Sequence, residues 1–182
     1  SVAGAVIGGS VYGGSGNDSV VVSSSLGGLV DLADGNDSVS ATTLGAATLL
    51  AGSGNDTLAI ATTALSSSVV GGYGTDVITV TTALNNSTVY GGEPSDGSSV
   101  LDGNDTISVG AASAAAIDGN YGDDRLLVGG NATATSIFGG QGSDLMSVSG
   151  NLSAGQILGG SNNDTVILTG SLSGGASVFG DG

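Results

Sequence analysis

The chain has no cysteine, no histidine, no lysine and no tryptophan, and its one cation, Arg125, is set against 16 acidic residues for a formal net charge of −15. Each absence closes a class of function. Without cysteine there is no disulfide framework, and without cysteine and histidine together zinc and soft metals have no ligands. Without a basic face nothing is available to bind the phosphates of a nucleic acid, so no nucleic-acid partner is expected. Histidine and lysine are missing as proton carriers, and no serine stands beside a base that would activate it; catalysis is not expected. Asp123-Asp124 is a candidate carboxylate dyad, but neighbouring strand residues point to opposite faces, which leaves Asp124 as a ligand and Asp123 as a solvated loop residue. Arg125 is expected to pair at the surface. No apolar run approaches the roughly 18 residues of a membrane span, and no basic segment followed by an apolar stretch opens the chain, so neither a span nor a signal peptide is expected.

What the chain does have is glycine, 36 residues of it, placed in a recurring loop. The loop reads Gly13-Gly14-Ser15-Gly16-Asn17-Asp18, Ala51-Gly52-Ser53-Gly54-Asn55-Asp56, Gly71-Gly72-Tyr73-Gly74-Thr75-Asp76 and Gly139-Gly140-Gln141-Gly142-Ser143-Asp144. Weaker copies end at Asp37, Asp105, Asp124 and Asp164, so the eight aspartates are 19, 19, 20, 29, 19, 20 and 20 residues apart. A fixed period in this range marks a solenoid, in which each repeat buries its apolar face by stacking on the next.

The residues around each aspartate keep their character from copy to copy. Two residues after it stand Val20, Val39, Leu58, Ile78, Ile107, Leu126, Met146 and Val166; four after it stand Val22, Ala41, Ile60, Val80, Val109, Val128, Val148 and Leu168. That alternation predicts a strand with one buried face. A polar stretch follows that usually carries one leucine (Leu26, Leu44, Leu65, Leu84, Leu152, Leu172), then a second apolar column from Val11 through Val30, Leu49, Val69, Val89, Ile117, Ile137 and Ile157 to Val178. The predicted fold is all-β: one parallel β-solenoid over residues 1–182, about nine coils of 19 or 20 residues, with the glycine loops along one edge. Helix is not expected anywhere.

Glycine suits the loop because so tight a turn uses positive φ and brings carbonyl oxygens inward; Asn162 replaces one such glycine as the next most tolerant residue. Stacked coils would put the aspartates in a file one strand spacing apart. At an effective dielectric near 20, two charges about 4.8 Å apart repel by roughly 3 kcal/mol, so an intervening cation is expected. Calcium fits: it is hard, takes several oxygen ligands and accepts carbonyls together with carboxylates, whereas magnesium demands a tighter octahedron. Seven such ions between eight aspartates would bring the net charge to about −1. The alternative is that these aspartates only form turns.

At these residues the chain resembles the repeats-in-toxin family, whose Gly-Gly-x-Gly-x-Asp loops form a calcium-filled β-roll. The resemblance covers nearly the whole chain, and it implies that Asp18, Asp37, Asp56, Asp76, Asp105, Asp124, Asp144 and Asp164 supply carboxylates. It further implies that the loop glycines Gly14, Gly16, Gly35, Gly52, Gly54, Gly72, Gly74, Gly103, Gly122, Gly140, Gly142 and Gly160 supply carbonyls. That family has two loops per coil of 18 residues; this chain has one. In this it is similar to the calcium solenoid of an ice-binding bacterial adhesin, but the outward threonine rank of that surface is replaced here by Ser15, Asp34, Ser53, Tyr73, Asp102, Tyr121, Gln141 and Ser161. Calcium binding is expected to be coupled to folding, with affinities of about 0.1 to 1 mM, the range of extracellular modules.

Three features stand outside the repeat. Residues from about 93 to 102 break the period, with Pro94 where a loop glycine is due, and predict an inserted loop whose Asp96 or Asp102 is a candidate for an extra calcium. A column before each loop, Tyr12, Asp31, Leu50, Val70, Tyr90, Asp118, Phe138, Leu158 and Phe179, is expected to face outward as a lateral contact surface. Neither end carries a cap, as expected for a piece of a longer array or for a protomer that joins its neighbours end to end. Together these features point to a calcium-binding structural module at a bacterial cell surface or outside the cell: a surface layer, an adhesin stalk or a filament, self-associating. The alternatives are an ice-binding module, a binder of cell-surface glycan, and the calcium-dependent folding and secretion tail of an enzyme.

Overall fold

A computed structural model describes residues 5–94 and 101–181. Among the described residues there is no helix, and every strand belongs to one 19-stranded sheet whose neighbouring strands pair in parallel. The chain winds as a β-solenoid. The first coils are carried by β1 (Val6–Ser15), β2 (Ser19–Asp34) and β3 (Ser38–Ser53), the last two of which bend through two faces without a break. Later coils are cut into shorter pieces: β4 (Thr57–Ile60), β5 (Thr63–Leu65) and β6 (Ser68–Tyr73), then β7 (Val77–Asn85) and β8 (Thr88–Tyr90). Beyond the insertion come β9 (Thr106–Ser113), β10 (Ala116–Asp118), β11 (Arg125–Val128), β12 (Ala132–Thr133) and β13 (Ser136–Gln141). The last coils are β14 (Leu145–Val148), β15 (Leu152–Ser153), β16 (Gln156–Ser161), β17 (Thr165–Leu168), β18 (Leu172–Ser173) and β19 (Ser177–Asp181).

The apolar columns of the sequence are the rungs of the stack. Val20, Val39, Leu58, Ile78, Ile107, Leu126, Met146 and Val166 pair in register from coil to coil. On the other face the run from Val11 to Val178 does the same. With eight rungs on one face and nine on the other, the structure has about eight turns, not nine, because the outermost rungs belong to partial coils. Leu49, Leu58, Ile78 and Leu126 are wholly buried in a single core between the faces. Each such side chain contributes about 1.5 to 3 kcal/mol, and only because the coils above and below cover it.

Two expectations change. Leu65 is not in the buried leucine column: Ala64 pairs with Leu44 and Leu84, while Leu65 is 47 % exposed. It stands one residue late in its coil, and a one-residue slip sends a strand side chain to the opposite face. The column before the loops does stack in register, yet Val70 is 5 % exposed, on the coils flanking the insertion. Of the insertion, residues 95–100, Asp96 included, lie outside the described residues.

Candidate metal centre

The aspartates of the repeat form a continuous file inside the loop edge. Asp37, Asp56, Asp76, Asp105, Asp124 and Asp144 are each at most 2 % exposed. One oxygen of each carboxylate is committed to the backbone. The N–H of Asp18 donates to Asp37 Oδ1 (2.6 Å), that of Asp37 to Asp56 (2.6 Å), and that of Asp56 to Asp76 (2.7 Å). The series continues through Asp76 to Asp105 (2.7 Å), Asp105 to Asp124 (2.7 Å), Asp124 to Asp144 (2.8 Å) and Asp144 to Asp164 (2.9 Å). A peptide N–H therefore stands between successive carboxylates on this side.

The other oxygen has no such partner. Oδ2 of Asp18, Asp37, Asp56, Asp76, Asp105, Asp124 and Asp144 is buried without a hydrogen bond. Native proteins rarely leave so many buried acceptors unsatisfied, and each costs about 1 to 3 kcal/mol or more when charged. Burial is also the largest cause of the raised pKa along the file, ahead of the neighbouring carboxylates, while the backbone N–H pulls the other way. Asp37 and Asp56 are raised; Asp144 reaches about 6, Asp76 about 7, Asp124 about 8 and Asp105 about 9.

In most coils the orphaned oxygen faces glycine. A Cβ on Gly71 would collide with Asp76 Oδ2 and with the carbonyl oxygen of Gly91; Gly91, Gly119 and Gly139 stand in the same relation to Asp105, Asp124 and Asp144 and to the carbonyls of Gly119, Gly139 and Gly159. Beside each first glycine of the loop, a carboxylate oxygen and a carbonyl oxygen of the next coil thus border the same space. The sequence pattern contains these glycines, five residues before the aspartate in most coils, but the expected ligand set did not include them. In two coils the same position holds Leu32 and Ala51, both fully buried.

The glycines that were expected as carbonyl donors form two further columns. Gly14, Gly52, Gly72, Gly140 and Gly160 occupy the second loop position, and Gly16, Gly35, Gly54, Gly74, Gly103, Gly122 and Gly142 the fourth. All but Gly103 have φ between 97° and 141°, and Asn162 has φ 81°. The carbonyl of each fourth-position glycine presses on the Cα of the next, as Gly54 on Gly74, where no side chain would fit.

A second ladder, of opposite sense, runs outside the aspartates. Asn17 Oδ1 accepts the N–H of Asn36 (2.9 Å), Asn36 that of Asn55 (2.8 Å) and Asn55 that of Thr75 (2.9 Å). After the insertion Asn104 serves Asp123 (2.9 Å), and Asp123 serves Ser143 (2.7 Å). Exposed Asp123 is thus part of this outer ladder while Asp124 belongs to the buried one, and the two form no dyad. Asp102 accepts from the N–H of Gly103 (3.0 Å) and of Tyr121 (3.2 Å), which commits it to the loop backbone. Arg125 is exposed at the start of β11.

The donor set along the file is oxygen only. Among the described residues no three acidic side chains converge on one point; a cation here would take a carboxylate from the file and complete its shell with loop carbonyls. That is the chemistry of a hard ion with flexible coordination, and calcium fits it. The chain matches no family model, no curated protein and no solved structure.

Proposed function

We propose that the chain is a calcium-binding structural module of a secreted or cell-surface bacterial protein, serving in a surface layer, an adhesin stalk or an extracellular filament. The observation that carries this reading is the file of buried carboxylates, each with one oxygen satisfied by backbone and the other without a hydrogen bond, which at Asp18, Asp76, Asp105, Asp124 and Asp144 lies beside a glycine and a carbonyl. Calcium supplies positive charge where burial otherwise forces the carboxyls toward the neutral form. The chain's own residues do the rest. The Oδ1 ladder fixes the orientation of each carboxylate, and the first-position glycines keep the space beside Oδ2 clear. The apolar rungs keep successive loops in register.

The reading places the module outside the cell because calcium is abundant there, and a chain that folds on calcium stays loose before export and stiffens after it. It assigns the module no catalytic step. Lateral self-association through the outward column, where Phe138 and Leu158 stack in register, is part of the proposal. Isothermal calorimetry on chelator-stripped protein tests the metal assignment. Several calcium ions bound per chain, with no comparable heat from magnesium, supports it; absence of calcium heat contradicts it.

A further inference from the structure

The acid charge of the chain is not spread evenly over its faces. On the face that holds β4, β11 and β14, the residues one and three past each file aspartate point outward, and none of them is buried. In eight coils not one of these positions is acidic, although the chain carries 16 acidic residues. The single charge on this face is Arg125, which is exposed and pairs with no carboxylate among the described residues.

The opposite face carries the outward column, with Asp31 and Asp118 among its members and no cation. Asp118 is half-buried and lines one recess with Phe138, Leu158 and Glu93. Its Oδ1 accepts the N–H of Asn120 at 3.1 Å, and burial raises its pKa.

The two faces match coil for coil. One column ends just before the glycine loop and the other begins just after it, so a member of the first has its counterpart seven residues on, in the same coil but on the other face. Asp118 stands opposite Arg125 in this way, Phe138 opposite Leu145, and Asp31 opposite Ser38.

From this match we infer that a second copy of the chain docks its acid-free face on the outward column, displaced sideways without axial shift, and sets its Arg125 against Asp118. The inference rests on lateral self-association through the outward column and names the surface that meets it. The same displacement brings Leu145 to Phe138 and Ser38 to Asp31: opposite charges, apolar side chains, and a hydroxyl with a carboxylate. Packed sheets lie about 10 Å apart, a gap that an arginine and an aspartate side chain bridge. A slip of one coil would move Arg125 onto Tyr90 or Phe138 and forfeit the ion pair, so the pair fixes the register. A twofold pairing of the outward column on itself would bury Asp118 against a surface that has no cation. Because two unlike faces meet, the contact is heterologous and repeats, giving a row of solenoids with their glycine loops along one side.

The chain has no cysteine, which makes site-directed cross-linking the direct test. Phe138→Cys and Leu145→Cys chains are treated with a short bis-maleimide in saturating calcium, each alone and mixed. The mixture should give linked dimers, and either variant alone about tenfold fewer. Arg125→Glu and Asp118→Arg should each raise the concentration needed for assembly, read by light scattering, at least about tenfold, because each sets like charges face to face. Their equimolar mixture should assemble as the parent does, since each supplies the charge that the other lacks. The unmodified chain keeps the test decisive should a variant misfold: Arg125 is its only arginine, and reaction with phenylglyoxal, read by mass spectrometry, should slow about tenfold on assembly. Phe138→Cys linking to itself, indifference to both charge changes, or an Arg125 still reactive in the assembled chain would overturn this pairing while lateral self-association stands. A parent chain that stays monomeric at high concentration would overturn both.

Discussion

The N–H of Asp76 donates to Oδ1 of Asp105 at 2.7 Å across 29 residues of sequence, the same bond that links aspartates 19 or 20 residues apart elsewhere. The insertion therefore leaves the carboxylate file unbroken. The core columns also close across it, Ile78 on Ile107 and Val80 on Val109.

Asp76→Asn should change sign with calcium. Asparagine keeps the acceptor for the Asp56 N–H but removes a buried charge whose pKa stands at about 7. In chelator at pH 8, where the parent has little strand signal, the variant should show more, and in saturating calcium it should be less stable than the parent by about 1 to 3 kcal/mol. Far-UV circular dichroism in chelator and urea unfolding in calcium measure the two.

Gly139→Ala should remove one calcium site. The backbone at Gly139 is not in the left-handed region, so alanine is tolerated there in conformation, but its Cβ would collide with Asp144 Oδ2 and the Gly159 carbonyl. The reverse change, Ala51→Gly, should clear the corresponding space beside Asp56. Equilibrium dialysis should show about one ion fewer in the first variant and about one more in the second.

The cation-free chain should gain stability as pH falls. Asp144, Asp76, Asp124 and Asp105 have folded pKa values of about 6, 7, 8 and 9, all above the roughly 3.9 of an unfolded aspartate. The folded state then binds more protons than the unfolded one between these limits. Its stabilising contribution is fully present below about pH 4 and is lost as pH rises through 6 to 9. In chelator, strand signal by far-UV circular dichroism should grow as pH falls from 9 to 5. Calcium competes with those protons, so its binding midpoint should move to higher concentration over the same range.

Ala134→Gly should stabilise the fold. Away from the glycine-loop edge, Ala46, Ser66, Asn86, Ala114, Ala134 and Ala154 all take φ between 46° and 53° at one recurring corner. A Cβ there costs about 1 to 2 kcal/mol, partly offset by the greater freedom of glycine in the unfolded chain. A net gain of about 0.5 to 1 kcal/mol should appear as a higher melting midpoint in calcium.

The rungs were legible because their spacing is constant and their character is unmistakably apolar: Ile78, Ile107 and Leu126 announce the same position in three coils. The corner at Ala134 was not legible, since the sequence places alanine and serine where conformation alone would call for glycine. The direction of the carboxylates was not legible either. A repeat spacing states that Asp105 stacks on Asp76, but not that its Oδ1 takes the Asp76 N–H while Oδ2 turns to Gly91.

The most direct test of the account is a calcium titration of the chelator-stripped chain at pH 8, followed by far-UV circular dichroism and light scattering, with magnesium as the control. The account predicts little strand signal in chelator and its appearance at about 0.1 to 1 mM calcium but not magnesium, with growth in mass on self-association. A chain equally folded in chelator at that pH would contradict it, and the aspartate file would then be a hydrogen-bonded ladder of turn residues and nothing more.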